Sequence, residues 1–150
     1  MNKIAVIYDD IFLEHDQPGH PENAQRLKYL VKHLKESHVG QHIDWFEPDY
    51  ATEEELLLIH SKEMIDKVKN LSESGGGMID PDTYVSRGSF DAALAAAGAG
   101  KTALRLVYEE GYSVVFVAAR PPGHHARSDR SMGFCLFNNI FICCHNFLFF

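Results

Sequence analysis

The sequence predicts an α/β fold in which a parallel sheet is layered by helices. Three observations carry this. Short apolar runs alternate with stretches of helical period along the 150 residues. Residues 113–119 are almost continuously apolar, the pattern of a strand covered on both faces in a parallel sheet. The segment before them is rich in alanine (Ala92, Ala93, Ala95, Ala96, Ala97), which favours a closely packed helix.

The elements follow in order. Residues 4–8 read as a first strand. A polar loop ends in Gly19-His20-Pro21, and from Glu22 the apolar residues Leu27, Leu30, Val31 and Leu34 fall on one helical face, with Gly40 as the stop. Residues 43–46 predict a second strand closed by Pro48. Thr52 with Glu55 predicts a capping box opening a short helix through Leu58. A further helix over 61–72 carries Met64, Ile65, Val68 and Leu71, and Gly75-Gly76-Gly77 predicts a flexible stop. Residues 80–88 read as an ordered loop. The alanine-rich helix starts near Ser89 or Phe90 and ends by Gly111, followed by the 113–119 strand. No repeat, linker or domain boundary interrupts the chain.

Length fits one domain with a sizeable core. Fourteen Lys and Arg against 21 Asp and Glu leave a net charge of −7, which argues against nucleic-acid binding and permits cationic amine substrates. Three cysteines (Cys135, Cys143, Cys144) form no disulfide framework, so a reducing, cytoplasmic setting is expected. The first ten residues lack the basic start and small-residue cleavage site of a signal peptide. No apolar stretch reaches the ~20 residues of a membrane span.

In α/β sheets, ligands sit beyond the carboxyl ends of the strands, which directs attention to residues 120–133. This loop opens with Pro121-Pro122-Gly123 and continues with His124-His125. Histidine titrates near neutrality, so a pair can divide the roles of base and acid. Neighbours in extended chain point apart, and convergence on one substrate needs the bend that Pro-Pro-Gly supplies. An isolated pair of this kind is more often two exposed loop histidines.

The longer string changes the balance. Arg120-Pro-Pro-Gly-His-His-Ala126, then Gly133-Phe134-Cys135, then Phe137-Asn138-Asn139, resembles the active-site signature of histone deacetylases and acetylpolyamine amidohydrolases, including the seven residues between His125 and Gly133. Gly19-His20-Pro21-Glu22-Asn23 through Arg26 resembles the family's early segment, and Asp80-Pro81-Asp82-Thr83-Tyr84 its loop before the alanine-rich helix. The resemblance runs from about Ala5 to Ile140. It implies an arginase/deacetylase-like fold, with residues 1–150 as the N-terminal portion of a single domain that is incomplete on its C-terminal side.

The resemblance also implies roles. His124 matches the histidine that hydrogen-bonds the zinc-bound water, and His125 the proton donor to the leaving amine. Gly133 and Phe134 match the wall of a narrow acyl-amine tunnel. Asp82 matches a rim acid that accepts from the substrate backbone, and Arg26 an arginine of an internal channel. Each has a plainer reading: core for Phe134, a turn for Asp82, a solvated helix position for Arg26. His20 reads as a helix-start residue, and His15, His33, His38, His42 and His60 as surface or locally bonded.

The implied chemistry is zinc-dependent hydrolysis of acetyl-lysine or acetylpolyamine-type amides. The family's Asp-x-His pair, second Asp and later Tyr match no residue here, so no zinc ligand is expected in this chain. The competing reading is a catalytically inactive fragment acting as a binding or assembly partner. A metal-independent histidine hydrolase lacks a nucleophile elbow around Ser128 or Ser131. Residues 140–150 are bulkier than the family pattern and predict a core helix short of covering strands, hence self-association.

Overall fold

The computed structural model describes residues 3–148. In chain order, β1 (Ile4–Ile7) leads through a 3-10 turn (Asp10–Leu13) to α1 (Ala24–Glu36), a second 3-10 turn (Val39–His42) and β2 (Ile43–Phe46). Helices α2 (Glu53–Leu57) and α3 (Lys62–Glu73) precede a hairpin of β3 (Gly76–Asp80) and β4 (Thr83–Ser86). The long α4 (Ser89–Tyr108), β5 (Val114–Val117) and α5 (Asn139–Phe147) follow. The main sheet is parallel, in the order β2-β1-β5, with Ile4 opposite both Ile43 and Val114.

Local chemistry sets the helix starts. Asn23 caps α1 by accepting from the Gln25 amide, so the helix begins two residues after Glu22. Thr52 and Glu55 form the expected capping box, each accepting from the other's backbone N–H. Ser61 caps α3 through Met64.

Helix α4 organises the interior, because its alanines reach three apolar clusters. Ala93 and Ala97 join Leu56, Ile65, Val68 and Phe137; Ala95 and Ala96 join Val6, Phe12, Leu27 and Val31; Ala99 joins Ala5, Ile7 and Leu106. A helix that is apolar nearly all round must be buried nearly all round. Methyl side chains let neighbours approach closely on every side.

Three expectations are corrected. The 75–77 glycine run is not a flexible stop: Gly76 pairs with Ser86 and Gly77 with Val85 in an antiparallel hairpin. Its partner strand holds Tyr84 and Val85 in the interior, which anchors glycines that have nothing to bury themselves. The 80–88 loop accordingly contains β4, with the turn at Pro81 and Asp82. The last strand is covered on one face only, since Val114 and Phe116 are about half exposed (53% and 48%). Helix α1 packs its Leu27 and Val31 over Val6 on the central strand and does not reach across the sheet edge at β5.

Helix α5 packs along α4 and buries Ile142, while Ile140, Phe141 and Leu148 stay exposed. The aromatic end expected at Phe149 and Phe150 lies outside the described residues, as does the start of the chain at Met1 and Asn2. Among the described residues, no helix is long and apolar enough to cross a membrane.

Candidate active site

The ladder from β1 continues past β5, where Ala118 N–H donates to the Ile7 carbonyl. The chain then turns into the 120–138 loop. Gly123 is required there: a Cβ at this position would meet the Phe137 carbonyl at 2.4 Å and the Asn139 nitrogen at 2.6 Å. Asn139 Nδ2 donates to the Pro121 carbonyl (3.2 Å) and Asn138 Nδ2 to the Ala126 carbonyl (2.9 Å), tying the histidine segment to the start of α5. Met132 and Cys135 exchange backbone hydrogen bonds, closing a tight turn that presents Gly133 (φ +58°) and Phe134 (φ +69°).

This bent backbone brings the two neighbouring imidazoles together. Their ring centroids lie 4.2 Å apart with the planes tilted by 52°. The His125 ring rests on Gly133, where a Cβ would meet its Cδ2 at 2.9 Å. All six residues singled out in the sequence (His124, His125, Asp82, Gly133, Phe134 and Arg26) line one cleft of about 690 Å³ at the carboxyl end of β5. A second cavity of about 700 Å³, bordered by Ile59, Ser128, Met132 and Phe141, reaches the same histidines. The pair therefore stands between two cavities.

Asp82 sits in the β3–β4 turn, where its carboxylate accepts from Thr83 Oγ1 (3.0 Å) and its carbonyl faces His20 Nε2 (3.1 Å). The Phe134 amide donates to buried Thr83 Oγ1 (3.1 Å), and the His20 ring meets the Phe134 ring edge-on at 4.7 Å. His20 thus joins the turn to the cleft wall, rather than serving only as a helix-start residue. Arg26 has a largely exposed side chain (65%), 3.6 Å from Glu22 Oε1, at the mouth of the cleft.

Several organising residues were not legible in the sequence. Arg120 and Glu22 form a buried bidentate ion pair, with Nε–Oε1 at 2.7 Å and Nη2–Oε2 at 2.6 Å. Arg120 also donates to the Tyr84 hydroxyl and to the Phe12 and His15 carbonyls. His15 and His60, expected at the surface or locally bonded, are both buried and bonded far along the chain. His15 Nδ1 meets Ser89 Oγ at 2.7 Å, and its ring stacks on Tyr84 at 4.3 Å. His60 Nδ1 donates to the Arg127 carbonyl (2.8 Å), while its Nε2 accepts from the Asn138 amide (2.9 Å). The only available signal was their placement within apolar surroundings, which gives no partner.

Burial sets the protonation of these groups. It lowers the His15 pKa from 6.5 to about 3, helped by the Arg120 charge and by His20. It lowers that of His60 and raises that of Tyr84 to about 12. It also pushes the Cys135 thiol up, so that side chain is a neutral core group.

The implied zinc needs about three protein ligands. Among the described residues, no group of three or more His, Cys, Asp or Glu side chains is placed to hold a metal ion. The described residues alone do not provide that donor set.

Comparison with known proteins bears on the fold and the family. A sequence model of the histone deacetylase domain matches residues 20–148. The chain is 39% identical to an uncharacterised Synechocystis protein, over 95% of this chain and 48% of that protein. It is 34% identical to a probable deacetylase of Methanothermobacter thermautotrophicus, over 93% of this chain and 41% of the other. It is 31% identical to histone deacetylase 8 of Arabidopsis thaliana, over 92% of this chain and 41% of that protein. The solved HD domain of HDA15 superposes with a TM-score of 0.88 at 29% identity, covering 96% of this chain and 42% of that one. The chain thus spans less than half the length of these relatives. With the domain match running over most of its residues, and the parallel sheet and its layers superposing on a solved deacetylase domain, the chain belongs to the histone deacetylase family.

Proposed function

We propose that this chain supplies the histidine pair and the apolar wall of a zinc-dependent deacetylase acting on acetyl-lysine or acetylpolyamine-type amines. The observation that carries the reading is the convergence of His124, His125, Asp82, Gly133, Phe134 and Arg26 on one cleft. Residues 1–150 are then the N-terminal portion of one deacetylase-like domain, with the zinc ligands supplied from elsewhere. Zinc there would polarise the amide carbonyl and acidify the attacking water.

The chain's own residues divide the remaining work. Two imidazoles 4.2 Å apart can serve both ends of one amide. His124 takes the proton of the attacking water, and His125 gives one to the leaving amine. Phe134 and Gly133 line the path of the acyl-amine chain and exclude water from it. Asp82 on the turn accepts from the substrate's N–H groups or attracts its cationic end. Arg26 belongs to the channel side of the same cleft. The three free thiols fit a reducing, cytoplasmic setting.

Exposure of Val114, Phe116, Phe141 and Leu148 favours a second reading, in which these residues alone are inactive and act through assembly. Zinc titration with an acetyl-lysine peptide and an acetylpolyamine distinguishes the two. Turnover with stoichiometric zinc by the 150-residue chain would overturn the inactive reading. In a form that carries the zinc ligands, His124→Ala and His125→Ala should each lower kcat by about 10²-fold or more. Full activity in both would sink the assignment.

A further inference from the structure

The buried Arg120–Glu22 pair lies at the root of the histidine loop, and the proposed chemistry leaves it without a task. Its side chains are 3% and 7% exposed. Taking two charges out of water costs several kcal/mol per ion, and apolar residues of equal volume often stabilise a core as well. Stability alone is therefore a weak reason for the pair. Its geometry is more specific. The guanidinium reaches the Glu22 carboxylate with two parallel hydrogen bonds, the Tyr84 hydroxyl on β4, and the Phe12 and His15 carbonyls on the β1–α1 connection. Two separate chain segments, the β1–α1 connection and β4, are thus held to the residue that begins the loop. Pro121 and Pro122 follow directly and pass that orientation on with little backbone freedom. Tyr84 also donates to the Glu22 carbonyl (2.9 Å) and meets His20, whose ring touches Phe134. The same cluster therefore reaches the histidines along the chain and the tunnel wall through ring contacts.

We infer that Arg120, with Glu22 and Tyr84, is a positioning residue that fixes where the loop leaves β5 and so holds the His124 and His125 rings at their working separation. Arginine suits this because its planar fork offers five donors in fixed directions, whereas lysine offers a charge without a plane. The inference rests on the reading of the two histidines as the working groups, but its test does not depend on turnover.

The test is the cross-relaxation (NOE) between the two histidine rings in the full chain labelled at histidine, compared with Arg120→Lys. Cross-relaxation falls with the sixth power of the proton–proton distance, so for ring protons about 4 Å apart a slip of about 0.5 Å, the usual tolerance of a preorganised site, lowers it about two-fold. The expected result is a cooperative melt and an unchanged far-UV spectrum, with the His124–His125 signal down by that factor or more. The His60–Phe137 contact (5.6 Å), anchored at the other end of the loop, stays unchanged. If Arg120→Lys does not fold, Tyr84→Phe, which removes one hydroxyl, is read by the same criterion. An unchanged ring signal in the folded variant overturns the inference. So does a loss shared equally by the His60–Phe137 contact, which is general loosening, and so does failure of both variants to fold. A failed deacetylase assay would sink the proposed function and leave the ring result standing.

Discussion

Acidification tests the placement of His15. Its ring is 1% exposed, stacked on Tyr84 and bonded to Ser89. Its Nε2 lies 4.0 Å from Glu22 Oε2, a contact that would favour the charged ring. That carboxylate, however, is already gripped bidentately by Arg120. Burial, then the Arg120 charge, then His20 prevail, and the pKa falls from 6.5 to about 3. Between those values the unfolded chain binds a proton that the folded chain refuses. The stability that depends on neutral His15 is therefore complete above the unfolded pKa and declines as pH falls toward the folded one, by up to about 1.4 kcal/mol per pH unit. From pH 7 to pH 5 the loss is about 2 kcal/mol. Urea unfolding at both pH values, in the wild type and in His15→Asn, isolates the effect. Asparagine keeps a polar atom near the Nδ1 position and does not titrate. His60, whose pKa burial also lowers, adds loss of the same sign, but it is present in both proteins and cancels in the difference. The wild type should lose about 2 kcal/mol more than His15→Asn. Equal losses would refute the placement of a neutral, buried ring at this position.

Other substitutions probe the cleft and the surface. Gly133→Ala forces a left-handed residue against the His125 ring and should cost at least about 1 kcal/mol in thermal unfolding, with displaced His125 resonances; an unshifted ring would count against the contact. Thr83→Val removes the acceptor of the Phe134 amide and should cost about 1–3 kcal/mol by urea unfolding; a neutral effect would deny that bond. Phe116→Ser lowers the apolar character of the exposed face at β5 and should shift sedimentation profiles toward monomer; an unchanged profile would remove that face from any self-association.

What the sequence makes legible depends on how far apart the partners lie. Strands β1, β2 and β5 are short apolar runs, and an apolar run is a local signal. The loop from Arg120 to Asn139 is also local, so its histidines, glycines and asparagines read together as one motif. The β3–β4 hairpin is not legible in this way, because Gly76 and Gly77 have no side chains to show a period of two. What fixes them is the burial of Tyr84 and Val85 across the hairpin. The partner of Arg120 lies 98 residues away, that of His15 is 74 away, and that of His60 is 78 away. Such pairs exist only once β1, α4 and β5 have been brought side by side. Likewise, the half-open face of β5 follows from where α1 stops, which its own apolar run cannot show.

The two ends of the histidine loop are secured by different chemistry. At the upstream end, Arg120 stays charged over the whole range in which histidines titrate. Its bond to Glu22 does not depend on a neutral ring. At the downstream end, His60 Nδ1 donates to Arg127 and Nε2 accepts from the Asn138 amide, an arrangement that only the neutral ring can make. A proton on Nε2 would set N–H against N–H and leave the Asn138 amide without its acceptor. Burial opposes that protonation and lowers the His60 pKa, so the tie holds at neutral pH. A proton on His60 would therefore loosen the segment from Arg127 to Asn138, which carries Gly133 and Phe134.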